Sequence, residues 1–96
     1  MEPSQPPFEE KIPVRKLDYR LEQLDNELLL YHPSRTQILY LNQTASLIWE
    51  LCDGTRTVGE IASLLAAAYP ESSDSILSDV GATLQQFLDH ACIELL

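Results

Sequence analysis

The sequence predicts an α+β domain in which a three-stranded antiparallel sheet precedes three helices. Up to residue 41, apolar residues recur at about every second position or in short runs; beyond it they recur at every third or fourth position. Turn-forming residues interrupt the first part, and helix-capping residues interrupt the second part. With 96 residues and 45% apolar content, the chain can form one small core and no second domain.

The first part of the chain contains three segments with the length and composition of strands. In the first segment Leu17, Tyr19 and Leu21 alternate with polar residues, which is typical of a half-buried strand. Asp25-Asn26 and Pro33 provide turn chemistry between the segments. Short turns join antiparallel neighbours, so the three strands form a meander. The first predicted strand begins at residue 17, and the other two cover residues 27–32 and 36–41.

The second part of the chain predicts three helices. Asn42 is a good N-cap for the first helix. Thr57 and Glu60 have the spacing of a capping box at the start of the second helix, and Pro70 ends that helix. The third helix is indicated by apolar residues at helical spacing from Ile76 to Ala91.

The two ends of the chain fall outside this pattern. The first dozen residues contain three prolines among glutamate and serine, so we expect a flexible N-terminal tail over residues 1–12. Residues 92–96 are long enough only for a terminal strand or a docked tail. The folded domain is therefore expected over residues 13–96.

The charge balance narrows the choice of partners. Six Lys and Arg residues against fifteen Asp and Glu residues give a formal charge of -9. Nucleic-acid backbones and anionic membranes need clustered cations, so both are disfavoured as partners. The chain has no apolar run of about 18 residues and no recognisable signal peptide at its N-terminus. A cytoplasmic location is expected.

Residues suited to catalysis are few. The two histidines, His32 and His90, have no cysteine or acid at a metal-ligand spacing. Cys52 and Cys92 both lie in apolar patterns, so we expect reduced core cysteines and no activated thiol. The three glycines are isolated and form no phosphate-binding loop. The sequence therefore predicts a chain that is not an enzyme and that has no metal or cofactor.

Two other functions have partial support in the sequence. Residues 57–65, followed by another helix, resemble the helix-turn-helix of winged-helix DNA-binding regulators. The third helix, however, carries Asp74, Asp79 and Asp89 and no cation, which disfavours contact with phosphates. Asp74-Ser75-Ile76 resembles the attachment site of a carrier protein, but an ordinary helix start explains these three residues fully.

The third predicted strand suggests a binding edge. Residues 36–41 contain no charge and no proline, the usual devices that discourage further strand pairing. If the third helix packs alongside, the strand backbone and the side chains of Val80, Leu84 and Phe87 would form a groove for an extended peptide. In an equally open alternative, a terminal segment of the chain or a second copy in a homodimer covers this edge.

Two motifs connect the chain to a known family. The run from Tyr40 to Gly54, Tyr-Leu-Asn-Gln-Thr-Ala-Ser-Leu-Ile-Trp-Glu-Leu-Cys-Asp-Gly, resembles the core motif of the PqqD-like family. Residues 56–62, Arg-Thr-Val-Gly-Glu-Ile-Ala, resemble the segment that follows it. Members of this family are recognition elements for the precursors of ribosomally synthesised, modified peptides (RiPPs). The resemblance extends over residues 14–96.

The resemblance implies a winged-helix-like fold and an adaptor function. Family members bind the leader of a precursor peptide as an added strand on their third strand, in the cleft with the third helix. They present the peptide to a maturation enzyme, often a radical SAM protein, or to a leader peptidase in lasso-peptide systems. Carried onto this chain, the contact residues come from Thr36, Gln37, Ile38, Leu39, Tyr40 and Leu41, and from Ile76, Val80, Thr83, Leu84 and Phe87.

The third helix departs from the family in its charge. Family members commonly carry basic residues there, whereas this helix has none. An acidic flank beside the groove predicts a leader that carries Lys or Arg near its apolar anchors.

Overall fold

The structure is a computed structural model that describes residues 8–96. Short 3-10 turns cover Phe8–Glu10 and Pro70–Ser72. The strands are β1 (Pro13–Arg15), β2 (Arg20–Leu24), β3 (Glu27–Tyr31), β4 (Ile38–Leu41) and β5 (Ile93–Leu95). The helices are α1 (Gln43–Leu51), α2 (Val58–Ala68) and α3 (Ser73–Asp89).

The predicted three-stranded sheet followed by three helices is confirmed. Strands β2, β3 and β4 form an antiparallel meander in that order. In its register, Leu30 lies between Leu21 on β2 and Leu39 on β4. These residues share the face of the sheet that packs on the core.

The first strand of this sheet begins later than the sequence predicts. The expected strand begins at Leu17, whereas β2 covers Arg20–Leu24. Asp18 has a φ of 78°, a left-handed conformation that interrupts the extended backbone of a strand. The chain therefore turns at Asp18, so that Leu17 points into solvent while Tyr19 and Leu21 reach the core.

Both ends of the described chain form a second, two-stranded sheet. Strand β1 pairs antiparallel with β5, with Val14 opposite Glu94. On its other side, β1 is bonded to the segment after α1: the Arg15 N–H donates to the Cys52 carbonyl at 2.8 Å, and the Gly54 N–H donates to the Pro13 carbonyl at 3.1 Å. We refer to β1, β5 and residues 52–54 as the terminal clasp.

Residues 8–12 differ from the expected flexible tail. Phe8 packs against the core, and the Lys11 carbonyl accepts a hydrogen bond from the Val58 N–H at 2.9 Å. Ile12 and Leu96 exchange two backbone hydrogen bonds. The three prolines that suggested a tail all lie within residues 3–7. The composition of residues 1–12 as a whole therefore gave no sign that residues 8–12 dock on the domain. The expectation for residues 1–7 lies outside the described residues.

Local hydrogen bonds delimit the helices. The Asn42 side chain accepts from the Ala45 N–H at 2.7 Å, which confirms the predicted cap of α1. Thr57 and Glu60 form both bonds of the predicted capping box. Helix α3 ends in a Schellman motif, in which the Cys92 N–H donates to the Phe87 carbonyl at 2.8 Å.

The core lies between the three-stranded sheet and the three helices. Trp49 of α1 makes edge-to-face contacts with Phe87 of α3 and with Tyr19, at centroid distances of 5.5 and 6.2 Å. Cys52 and Cys92 are buried free thiols, and burial raises the pKa of Cys52 to about 12. No helix among residues 8–96 is long and apolar enough to cross a membrane.

Candidate peptide-binding site

Strand β4 is an edge of the three-stranded sheet. It pairs with β3 on one side, and no strand among residues 8–96 pairs with its other side. The C-terminal strand β5 pairs with β1 instead. Alternate N–H and C=O groups along an edge strand point away from the sheet, so β4 can accept an additional strand.

The side chains of β4 alternate between the two faces of the sheet. Leu39 and Leu41 are buried in the core. Ile38 and Tyr40 point to the opposite face, where their side chains are 47% and 66% exposed. A paired peptide would place alternate side chains beside Ile38 and Tyr40, because cross-strand neighbours share a face.

Four of the residues predicted on α3 belong to the core. Their side chains are at most 4% exposed, and a peptide cannot touch them while the domain keeps this packing. They are Ile76, Val80, Leu84 and Phe87. Helical spacing identified this apolar stripe correctly but could not tell a stripe that closes the core from one that lines an open groove. Of the predicted α3 residues, Thr83 keeps some exposed surface.

The N-terminal end of β4 lies beside the C-terminal end of α3. Gln37 and Leu39 share the walls of a cavity of about 10 Å³ with His90 and Cys92. The Tyr19 hydroxyl donates to the His90 carbonyl at 3.2 Å across this junction. We call the junction the β4–α3 seam. Its remaining walls come from Tyr19, Leu30, His32 and Arg35.

The seam is too narrow to admit a peptide side chain, since its cavity has about the volume that one water needs. A peptide paired with β4 would therefore lie along the mouth of the seam. Residues that are three, four or seven apart share a side of a helix, so Thr83 and Gln86 lie on the same side of α3 as His90. These polar side chains would face the inward side chains of the peptide.

The other end of β4 lies toward the beginning of α3. Leu41 shares a cavity of about 520 Å³ with Tyr69, which is four residues before α3. The helix therefore runs antiparallel to β4: the segment before its first turn lies toward Leu41, and its end lies near Gln37. Asp74 and Asp79 are exposed on the first half of α3, whereas His90 follows its end.

Two side chains considered for catalysis, Cys52 and His32, are held by local hydrogen bonds. Burial keeps the Cys52 thiol protonated, and its Sγ donates to the Ile48 carbonyl at 3.1 Å. The Nδ1 atom of His32 accepts from the Ser34 N–H at 3.0 Å, so one ring nitrogen is occupied in the local turn. No group of three or more metal-ligating side chains that could hold a metal occurs in the part of the chain that the structure describes.

Sequence reasoning did not identify Tyr19, His32, Arg35 and His90 as parts of one site. These residues come from three separate segments of the chain, and no spacing in the sequence connects them. The absence of carboxylates from residues 28–41 is a signal that could have pointed to the seam.

A comparison with models of known protein families identifies the family of this chain. Residues 27–93 match the family described as "Coenzyme PQQ synthesis protein D (PqqD)". The chain belongs to the PqqD family. The matched range begins at β3, includes β4 and all three helices, and ends at the first residue of β5. The match confirms the family that the two sequence motifs indicated.

Two curated relatives of the PqqD family carry the same printed name, "PqqA binding protein". The protein from Stutzerimonas stutzeri is 35% identical over 81 residues, which are 84% of this chain and 85% of the relative. The protein from Bradyrhizobium diazoefficiens is 38% identical over 53 residues, and the match covers 55% of this chain and only 52% of the relative. No solved structure shows a significant match to this chain. PqqD-family membership confirms the prediction of a non-catalytic protein.

Proposed function

We propose that this chain binds the leader of a PqqA-type precursor peptide and brings the peptide to a radical SAM enzyme that modifies it. Membership of the PqqD family and the printed names of the two relatives support the peptide as ligand. The observation that carries the proposal is the open edge of β4, flanked by the exposed side chains of Ile38 and Tyr40.

The peptide pairs with β4 as a fourth strand. A strand of this length makes a handful of backbone hydrogen bonds, and each contributes about 1 kcal/mol net. Fixing the peptide backbone opposes this gain by about 1 kcal/mol per residue. Side-chain contacts must supply the difference, and cross-strand pairs with Ile38 and Tyr40 contribute about 0.2–1 kcal/mol each. A Kd of about 1 µM is expected.

The contact set is narrower than the family resemblance implies. Thr36, Gln37, Ile38 and Tyr40 have exposed side chains, and Thr83 has partial exposure. These five residues are the proposed side-chain contacts. Leu39 and Leu41 contribute their backbone groups, while the four buried α3 residues support the strand from within the core.

The acidic first half of α3 supports a Lys or Arg residue in the bound peptide. Asp79 is exposed in the first half of α3, on the side that carries Thr83 and toward the Leu41 end of β4. A Lys or Arg residue of the peptide at that end would gain Coulomb energy, which salt screens at exposed sites. Affinity is therefore expected to fall with ionic strength.

Delivery requires that the enzyme and the peptide bind at the same time. A non-catalytic adaptor accelerates a reaction by raising the local concentration of the peptide at the enzyme. Moderate affinity lets the peptide leave after modification. Because the precursor is made by ribosomes, we place this function in the cytoplasm.

Backbone pairing can be tested with N-methylated peptides. The probe is a synthetic leader of a PqqA-type precursor peptide. N-methylation removes a donor, so methylation of residues whose amides face β4 should weaken binding about tenfold, at roughly 1.4 kcal/mol per decade. Methylation of the alternate residues, whose amides face away, is the matched control and should have little effect. Equal losses at both sets of positions would contradict strand pairing.

Amide chemical shifts can identify the edge that is used. Addition of the peptide should perturb and protect amides of β4 and leave those of β2, the opposite edge of the same sheet, unchanged. Perturbation confined to β2 or β5 would exclude the β4 site. If two copies instead pair through β4, sedimentation should show a dimer that the peptide dissociates.

A further inference from the structure

Among residues 8–96, no carboxylate lines the β4–α3 seam, although the protein is acidic. The chain has fifteen Asp and Glu residues and a formal charge of -9. None of the eight residues that line the seam is Asp or Glu, and three of them are His32, Arg35 and His90. Among residues 8–96, Arg56 and Asp53 form the only ion pair, so Arg35 has no carboxylate partner there.

The local turn fixes the backbone of Arg35 and the ring of His32. The Arg35 N–H donates to the His32 carbonyl at 3.0 Å, and the His32 ring accepts the Ser34 N–H at Nδ1. In a neutral imidazole with an accepting Nδ1, the proton is on Nε2, so this atom is a donor. The ring also packs edge-to-face on Tyr19 at a centroid distance of 5.2 Å, which fixes its orientation.

The charge of Arg35 reaches the seam. Burial raises the pKa of the Tyr19 hydroxyl and of the Cys92 thiol, and the Arg35 guanidinium partly offsets the rise at both groups. Tyr19, Cys92 and Arg35 line the seam together. Gln37 adds an exposed amide at the same place.

We infer that the mouth of the seam receives an Asp or Glu side chain of the bound peptide. Arg35 and the amide of Gln37 donate to this carboxylate, and His32 and His90 add donors on either side. The inference rests on the proposed function. It adds the class of peptide side chain that binds at the seam, and it states which end of β4 the acidic residue of the peptide occupies. An acidic residue of the peptide lies at the Gln37 end, and Asp79 disfavours it toward the Leu41 end.

Substitution of Arg35 tests this subsite with the same synthetic leader as probe, at low salt. Arg35→Gln should weaken binding about fivefold, the upper range for an exposed charge pair, and Arg35→Glu about tenfold or more because it adds repulsion. Arg20→Gln is the matched control: Arg20 is also exposed, but it lies at the start of β2 on the far edge of the sheet. Its affinity should equal that of the unsubstituted chain. Arg35 is exposed, so its variants should keep the thermal stability of the parent chain.

Amide substitutions in the peptide complete the test. One Glu→Gln or Asp→Asn change in the peptide should weaken binding to the parent chain and cause no further loss with Arg35→Gln. Replacement of the same peptide residue with Lys should restore binding to Arg35→Glu.

The experiments distinguish a failure of the proposed function from a failure of the subsite. Absence of peptide binding by the parent chain would overturn the proposed function together with this subsite. Binding of normal affinity that is insensitive to Arg35, or to every acidic residue of the peptide, would overturn the subsite alone.

Discussion

The terminal clasp and the β4 edge use backbone hydrogen bonds in opposite ways. Strand β1 has partners on both sides, β5 on one and residues 52–54 on the other. Strand β4 has β3 on one side and no strand of the described chain on the other. The C-terminal strand β5 belongs to the sheet of β1 and does not pair with β4. The topology thus closes the core at the clasp and leaves the edge of the sheet accessible.

The comparison predicts that core positions and edge positions respond differently to substitution. Leu84→Asp should reduce the free energy of unfolding by about 4 kcal/mol or more, because it places an unpaired charge in the core. Leu84 is fully buried, whereas Leu77 of the same helix is 48% exposed. Leu77→Asp is therefore the control and should change stability by about 1 kcal/mol or less. Thermal unfolding followed by circular dichroism checks both, and a folded Leu84→Asp chain of parent stability would contradict the placement of α3.

A smaller loss is expected when the clasp itself is weakened. Ile93 on β5 is buried, so Ile93→Ala should cost about 2–4 kcal/mol of stability. The folded fraction should still bind the peptide with the parent Kd, since β4 is untouched. Urea unfolding and peptide titration measure the two quantities separately. Glu94→Ala, an exposed position on the same strand, is the control, and a comparable loss there would show that burial is not the cause.

At the edge, the effect should appear in affinity instead of stability. Tyr40→Ser should raise the peptide Kd about fivefold, because it removes a cross-strand contact on the outer face. Leu24 is the matched control: its side chain is 61% exposed against 66% for Tyr40, and both are on the outer face. Leu24 lies on β2, so Leu24→Ser should leave the Kd unchanged. Fluorescence anisotropy measures both, and equal effects would indicate that the peptide covers the outer face and not the edge.

The end of α3 next to the clasp contains a residue in an unfavourable conformation. Ala91 has a φ of 58° at the position of the Schellman motif that glycine normally occupies. Ala91→Gly should stabilise the chain by about 0.5–1 kcal/mol, because glycine adopts this conformation without steric strain. Ala82→Gly in the exposed interior of α3 should instead destabilise by about 1 kcal/mol. The same sign of effect for both variants in urea unfolding would contradict this explanation.

The smallest expected change in stability is at Asp53, in the segment 52–54 that bonds to β1. Hydrogen bonds from Thr55, together with the nearby Arg56 charge, lower the pKa of Asp53 in the folded chain. A lowered pKa means that the carboxylate favours the folded state at pH above about 4 and loses this contribution as the pH falls. The Tm difference between the parent chain and Asp53→Asn should therefore be largest near neutral pH and should vanish in acid. A difference that is the same at both pH values would show that the carboxylate charge is not involved.

Much of the local structure follows from the sequence. The Asn42 cap, the Thr57–Glu60 capping box and the buried stripe of α3 depend on residues within a few positions of each other. The β2–β3–β4 meander is equally local, because its strands are joined by short turns. The beginning of β2 was the exception, since alternation continues through Leu17 although Asp18 leaves the extended conformation.

The sequence by itself determined the order of the elements, which side of each is apolar and which family the chain resembles, because these properties depend on short-range periodicity and motifs. Only the tertiary structure decided that the α3 stripe closes the core, that residues 8–12 dock beside β1, and that Arg35 lies near His90. Periodicity identifies an apolar face but not the element that covers it. Contacts between residues far apart in the chain are selected by packing of the whole domain, and they define the open edge of β4 and the charge at its end.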